Sequence, residues 1–184
     1  MNIMNKRDAI IFTAAQLIHE KGYHNIGIKS ILDALSIPKG SFYHYFSSKE
    51  ALALAIIDLY IEDTQSCIEN SDTSVEGLKS FFNIFFNRLI DLELKRGCPV
   101  GNLVLELSDE NETFRLKLHE WYDFLKVWIA KVLNDEGIDK AEVKAKALWA
   151  AFEGTMMLSK LDKNPEHFEI FNDLTFPSIV HHSL

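Results

Sequence analysis

The chain has 184 residues, of which 47% are hydrophobic and 25% charged, and two are cysteines. This length and hydrophobic content suffice for one sizeable core, or for a small domain together with a medium-sized one. Two cysteines without the spacing of a metal knuckle indicate a reducing, cytoplasmic setting. The sequence contains no run of about 18 uninterrupted apolar residues, which argues against a membrane-spanning helix. Four prolines and eight glycines argue against a turn-rich β protein.

The net charge of −8 is unevenly distributed along the sequence. The first 50 residues hold six Lys or Arg against four Asp or Glu, a balance of +2, and the rest hold 13 against 23, a balance of −10. An acidic body with a mildly basic N-terminal segment fits a protein that touches nucleic acid with one end only, although +2 alone carries little weight.

A first helix is predicted from Lys6 to Lys21. Its apolar positions follow the i, i+4, i+7, i+8 pattern of a buried stripe, at Ile10, Ala14, Leu17 and Ile18. Gly22 ends this helix and Tyr23 closes a small core behind it.

Two short helices follow, over residues 28–35 and 38–46. Apolar residues recur with helical period at positions 28, 31, 32 and 35, and a three-residue turn comes next. Pro38 is tolerated in a first helical turn, and Phe42 and Phe46 lie four apart on one face that anchors the second helix to a core. Such a pair forms a helix-turn-helix, whose second helix enters the DNA major groove. The alternative is an ordinary corner in a small all-α domain.

The face of the second short helix opposite its phenylalanines is predicted to meet DNA. A glycine there allows close backbone approach, and lysine or histidine can read guanine edges. Ser47 and Ser48 can cap the next helix, with Lys49 at its exposed N-terminus beside a phosphate. The predicted groove contacts are Lys39, Gly40, Ser41, Tyr43 and His44, and the predicted phosphate contacts are Lys29, Ser30 and Lys49.

The segment Arg7–Glu50 resembles the DNA-binding domain of the TetR family of transcriptional regulators. The resemblance rests on Gly22-Tyr23, on the run Pro38–Phe46 and on Ser48-Lys49-Glu50. It implies an all-α protein of about nine helices: a three-helix helix-turn-helix DNA-binding domain over residues 1–50 and a larger ligand-binding and dimerisation domain over residues 51–184. It further implies a homodimer that leaves a palindromic DNA operator when a small-molecule inducer binds. One departure is Ile26, where the family usually has Thr or Ser.

The body is predicted to contain long helices with wide apolar faces. A fourth helix continues from residue 51 to about 69, a polar loop spans 70–74, and further helices cover 75–95 and 112–134. Their aromatic residues line a ligand cavity in one interpretation and form a simple core in the other. The pocket candidates are Phe82, Phe85, Phe86, Trp121, Tyr122 and Trp128.

Cys98 precedes a short apolar helix that starts at Pro99 and runs to about Leu107. At the N-cap, backbone N–H groups and the helix dipole stabilise a thiolate, and Lys95 and Arg96 act in the same direction. The segment is similar to one in a TetR subgroup that includes electrophile-responsive repressors, which implies a sensor role for this cysteine. The alternative is an inert buried thiol in a tight corner.

The last helices are predicted at residues 140–160 and 166–174, with a frayed tail from Thr175 to Leu184. The first of them has a face of small residues beside bulky anchors, which suits a bundle formed across a two-fold axis. In the alternative, the small residues Ala147, Ala150, Ala151 and Gly154 face the core of the monomer.

Together these patterns predict a cytoplasmic, homodimeric repressor released from its operator by an inducer or by modification of Cys98. An enzyme is not expected, because no nucleophile–base pair or set of metal ligands has a recognisable spacing, and no cofactor is expected. The remaining alternative is a DNA-binding regulator that is controlled by a protein partner and has no small-molecule or thiol response.

Overall fold

The computed structural model describes residues 5–181, and all regular structure in that range is helical. Eight helices precede the last one: α1 Lys6–Lys21, α2 Ile28–Leu35, α3 Lys39–Tyr45, α4 Lys49–Glu69, α5 Val75–Asp91, α6 Pro99–Leu107, α7 Glu112–Asp135 and α8 Ala141–Asp162. The ninth, α9, consists of three consecutive pieces, α-helical Glu166–Ile170, π-helical Phe171–Thr175 and α-helical Phe176–His181. The predicted all-α fold of about nine helices is confirmed.

Local hydrogen bonds explain several helix ends. The Asn5 side chain accepts a bond from the Asp8 N–H at the start of α1, and Ser74 does the same for the Gly77 N–H at the start of α5. After α1, Gly22 has φ +85°, and its N–H donates to the carbonyl of Ile18. Glycine suits this position because other residues rarely adopt a positive φ.

Contacts divide the chain into two compact units. The first comprises the chain up to Asp63 together with Asn102–Leu118. In it α1 packs on α2, and α2 packs on α3. Fully buried side chains from each of these helices form its core, Ile10, Ala14, Ile31 and Phe42. The boundary at residue 50 that the family resemblance implies stays a prediction.

The second unit, Thr64–Gly101 with His119–Leu184, has an aromatic core. Phe86 stacks on Phe168 with 4.4 Å between ring centroids, and the rings of Phe82 and Phe86 lie 5.1 and 5.2 Å from that of Phe152. These rings join α5, α8 and α9, and α8 also packs along the pieces of α9. Ring pairs at such distances add to the stabilisation that burial of their area provides.

Two predicted boundaries are wrong. Helix α5 ends at Asp91 rather than at Lys95, because Glu93 and Leu94 both have φ +54° and turn the chain. The predicted frayed tail is helical up to His181, since Phe176 and Val180 are buried and the carbonyl of Val180 accepts a 3.0 Å hydrogen bond from the buried Lys144. Residues 182–184 of that tail lie outside the described residues.

In the described range 5–181, none of the helices combines the length and apolar character needed to cross a membrane.

Candidate nucleic-acid interface and thiol region

The turn between α2 and α3 is fixed by backbone hydrogen bonds. Ser36 adopts the left-handed conformation at φ +55°, and the Ile37 N–H donates to the carbonyl of Leu32 at 3.0 Å. This closes α2 in a Schellman-like arrangement. Pro38 then stands at the N-cap of α3, with extended backbone. The two helices and this turn form the predicted helix-turn-helix.

Helix α3 presents one face to its core and the other to solvent. Phe42 is fully buried, Phe46 follows at 5.7 Å between ring centroids, and Ile26, at the position of the family's hydroxyl, is buried as well. On the other side Tyr43 is 55% exposed and His44 is exposed. The buried rings therefore hold α3 so that its polar face is free to meet a groove.

The other predicted contact residues lie at different depths. Lys39, Gly40, Lys29 and Ser30 are exposed, whereas Ser41 is half-buried. The Lys29 ammonium donates a 2.7 Å hydrogen bond to Asp33, and this bond raises the pKa of Lys29. A methyl group at Gly40 would meet no atom of the protein within 4 Å. Assignment of these residues to DNA stays a prediction.

Lys49 is placed differently from the exposed position expected of it. Its Nζ donates to the backbone carbonyl of Tyr23 at 2.6 Å and lies 3.9 Å from the centre of the Tyr23 ring. Burial lowers the pKa of Lys49, while the nearby carboxylates of Glu106 and Glu110 act in the opposite direction. The helix-capping prediction holds next to it, because Ser48 Oγ accepts the Ala51 N–H at 3.1 Å. A phosphate contact from Lys49 stays a prediction.

Glu106 of α6 binds the turn that follows α1. Its Oε2 accepts the Tyr23 N–H at 2.7 Å, and a methyl group on Gly22 would lie 3.2 Å from the same oxygen. Beside it, His24 Nε2 and Glu110 Oε1 are 3.0 Å apart. These contacts could not be predicted from the sequence, since 83 positions separate Tyr23 from Glu106 and no local pattern marks either residue.

Cys98 stands directly before α6, at the position predicted for it. The Gly101 N–H donates to Cys98 Sγ at 3.3 Å, as expected for a residue that caps a helix. The predicted stabilisation of the thiolate is wrong, however. Burial and the Glu153 carboxyl raise the pKa of Cys98 well above its ordinary value and outweigh the backbone N–H groups of Gly101 and Val100. Glu153 lies on α8, far along the sequence, and no local pattern links it to Cys98.

The loop that leads to Cys98 has unusual backbone geometry. Glu93, Leu94 and Arg96 all have positive φ values, between 54° and 74°. Two lysines of the α8 end donate to its carbonyls, Lys163 to Leu94 at 2.8 Å and Lys160 to Arg96 at 3.4 Å. Non-glycine residues in the left-handed region persist where surrounding contacts hold them, and these lysines supply such contacts.

The six pocket candidates all lie in the aromatic part of the second unit. Four are buried, Phe82, Phe86, Trp121 and Trp128, and two are half-buried, Phe85 and Tyr122. The Phe81 and Trp128 rings are 4.7 Å apart, and the Trp121 indole N–H donates to Thr64 Oγ1 at 3.1 Å. Their role as a ligand pocket stays a prediction. Within residues 5–181 no three His, Cys, Asp or Glu side chains group closely enough to hold a metal ion.

Comparison with protein-family models gives two adjacent matches. Residues 10–56 match the model described as bacterial regulatory proteins of the tetR family. Residues 74–173 match the C-terminal domain of transcriptional regulators similar to LmrA and YxaF. The first begins within α1, includes α2 and α3 and ends within α4, and the second covers most of the remaining chain.

Curated relatives match over most of their length. An uncharacterised helix-turn-helix regulator from Lactococcus lactis is 32% identical over 183 residues, which cover 94% of this chain and 92% of that protein. The repressor DhaR from Mycobacterium is 26% identical, with 95% and 92% covered. The repressor NemR from Escherichia coli is 28% identical, with 89% and 88% covered.

Solved structures agree on the fold. A TetR regulator from Legionella pneumophila superposes with a TM-score of 0.85 at 24% identity, over 95% of this chain and 99% of the other. The reduced form of Escherichia coli NemR superposes with a TM-score of 0.77 at 23% identity, over 89% and 92%. With a helix-turn-helix whose reading helix is exposed, and with relatives that are regulators rather than enzymes, this chain belongs to the TetR family of transcriptional regulators.

Proposed function

We propose that this regulator is a repressor that binds a palindromic operator as a homodimer and leaves it when a small-molecule inducer binds or when Cys98 is modified. The observation that carries the proposal concerns α6. Cys98 caps the start of this helix, and Glu106, near its end, accepts the N–H of Tyr23. A change at the thiol therefore acts on the helix that holds the turn between α1 and α2.

Operator recognition is assigned to the exposed face of α3. Lys39, Gly40, Ser41, Tyr43 and His44 face the groove and its rim, whereas Lys29, Ser30 and Lys49 contact phosphates. With one reading helix per subunit, the two half-sites lie about one helical turn, roughly 34 Å, or a multiple of it apart. The operator is double-stranded DNA with near-palindromic sequence, which matches the two-fold symmetry of a homodimer.

Dimerisation is assigned to α8 and α9. Several large apolar side chains of these helices are exposed in the single chain, Met157, Leu161, Ile170 and Leu174, with Leu161 at 72%. On α8 a methyl group at Gly154 would meet nothing within 4 Å, which argues against close packing of this glycine in the monomer core. A second copy that packs on this surface would bury it, as in a helix bundle.

Induction has two candidate routes. A non-covalent inducer would bind among the aromatic residues Phe82, Phe85, Phe86, Trp121, Tyr122 and Trp128, whose rings offer apolar area and whose indole and phenol groups offer polar contacts. An electrophile would instead react at Cys98. The proposed site of action is the cytoplasm, where the operator DNA lies.

The test is selection of operator DNA from random duplexes at two salt concentrations, with and without N-ethylmaleimide. The reagent forms an S–C bond to the thiol, and the thiol proton ends on the neighbouring ring carbon. Wild type and Cys67→Ser should enrich one palindrome and release it after treatment, whereas Cys98→Ser should keep it. Release from Cys98→Ser would refute the thiol route. A palindrome retained by every variant would leave only the non-covalent route, and no enriched sequence would refute operator binding.

A further inference from the structure

The carboxyl group of Glu153 occupies the space above the first turn of α6. A methyl group on Gly101 would lie 2.7 Å from Glu153 Oε2 and 3.3 Å from the Cβ of Cys98. Because the first distance is far below van der Waals contact, a side chain at position 101 would displace the carboxyl end of Glu153 from this place. The thiol, the glycine and the carboxyl therefore share one small space.

Glu153 is held there by little besides the thiol. The Cys98 side chain and its carboxyl act on each other electrostatically, and burial raises the pKa of Glu153. Its other oxygen, Oε1, is buried and has no hydrogen-bond partner. Buried polar atoms are normally paired, and an unpaired one calls for an explanation beyond stability. The contact with Cys98 therefore offers a functional reason for a carboxyl group at this buried position.

Other charged groups near the thiol are engaged elsewhere. On the preceding loop Lys95 pairs with Glu93, and on α8 Lys160 donates to the carbonyl of Arg96. The first turn of α6 contains no acidic or basic residue. Among the neighbouring side chains, Glu153 is the one whose charge affects the pKa of Cys98.

We propose that Glu153 is a positioning residue that holds the half-buried Cys98 as a neutral thiol, and that the sulfur becomes more open to electrophiles when this carboxyl leaves its place above Gly101. Loss of operator binding after modification of Cys98 rests on the sensor role proposed above. Control of the thiol by Glu153 is independent of that role. Any group bound to the sulfur competes with the carboxyl for the same space. Modification and displacement of Glu153 thus occur together.

The reaction used as a probe is alkylation by iodoacetamide. The sulfur forms an S–C bond, the C–I bond breaks, iodide leaves and the thiol proton goes to solvent. Its rate depends on the fraction of thiolate and on the nucleophilicity of that thiolate. A fall of one unit in pKa raises the fraction about tenfold and lowers the nucleophilicity about threefold, for a net gain of about threefold per unit.

The experiment measures the rate of Cys98 alkylation against pH in the full-length protein with Cys67→Ser as background, which leaves one reactive thiol. Without a further change, the profile should give an apparent pKa above the value of about 8.5 for free cysteine. Glu153→Gln should lower that pKa and speed alkylation at pH 7.5 at least threefold. The matched control is Glu142→Gln, an exposed carboxyl on the same helix, which should leave the profile unchanged.

Two results would overturn the inference. The first is an apparent pKa of Cys98 at or below 8.5 with Glu153 intact. This result would refute the inference even if circular dichroism shows that Glu153→Gln does not fold. The second is a folded Glu153→Gln variant whose profile matches that of Glu142→Gln. Operator binding is recorded on the same alkylated samples. If Glu153→Gln shifts the profile but alkylation leaves DNA binding intact, the sensor role fails and the control by Glu153 stands.

Discussion

The backbone N–H of Tyr23 donates a 2.7 Å hydrogen bond to Glu106, so that α6 binds the turn between α1 and α2. Gly22 lies directly against the same carboxylate. The carbonyl of Tyr23 accepts the Lys49 ammonium at 2.6 Å, which means that both backbone polar groups of this one residue are bound by side chains. Charged groups on α4 and α6 thus add to the bonds that the turn makes within itself, such as that from the Gly22 N–H to the carbonyl of Ile18.

Glu106→Ala should destabilise the protein by about 1.5–3 kcal/mol, the range for a hydrogen bond to a charged group, because the half-buried Tyr23 N–H loses its acceptor. Urea unfolding at one fixed protein concentration measures this, since the stability of a dimer depends on concentration. Glu62→Ala removes an exposed carboxyl from the same compact unit and should change stability by less than about 0.5 kcal/mol. Equal effects of the two substitutions would contradict a specific role for Glu106.

Lys49 and Lys39 should respond differently to substitution by glutamine. Each substitution should lower the slope of log affinity against log salt by about 0.9, the value for one phosphate contact. Only Lys49→Gln should also lower stability, because only Lys49 donates to the Tyr23 carbonyl. Operator binding at several salt concentrations and urea unfolding separate the two effects. A loss of stability in Lys49→Gln with an unchanged slope would leave Lys49 a structural role alone.

Much of the fold could be predicted because its signals are local. Helical periodicity gives α1 and α2, and Phe42 with Phe46 gives the orientation of α3. The polar loop and Ser74 give the start of α5. The contacts of Glu106 and Glu153 could not be predicted, because both pair residues more than 50 positions apart and neither carboxyl belongs to a periodic pattern.

Two local predictions failed for related reasons. The N-cap position of Cys98 was correctly predicted, but its pKa depends on burial and on a carboxyl from α8, which a local pattern does not contain. The tail after Thr175 is predicted to fray because chain termini are poorly ordered unless other parts of the protein hold them. Burial of Phe176 and Val180, with the bond from Lys144, overrides that local preference.

Gly40→Ala should change stability and operator affinity in opposite directions. A methyl group at this position meets no protein atom within 4 Å and reduces the conformational freedom of the unfolded chain, which should stabilise the fold by about 0.4–1 kcal/mol. The same methyl group should obstruct close approach of α3 to DNA and weaken operator binding roughly tenfold, equivalent to about 1.4 kcal/mol. Urea unfolding measures the change in stability, and operator titration measures the change in affinity. Unchanged affinity would remove Gly40 from the interface.

Gly101 and Glu153 should be strongly coupled in a double-mutant cycle. In the wild-type background Gly101→Ala should cancel the gain of about 1 kcal/mol expected from alanine's better helix propensity, since the added methyl group, 2.7 Å from Glu153 Oε2, forces the carboxyl end to move. In a Glu153→Ala background the same substitution has room, and the better helix propensity of alanine should make it neutral or stabilising by up to about 1 kcal/mol. Urea unfolding of the four proteins at one concentration gives the coupling free energy directly. Equal effects of Gly101→Ala in both backgrounds would mean that Glu153 does not oppose the methyl group. The space shared with the carboxyl would then not explain the glycine at position 101.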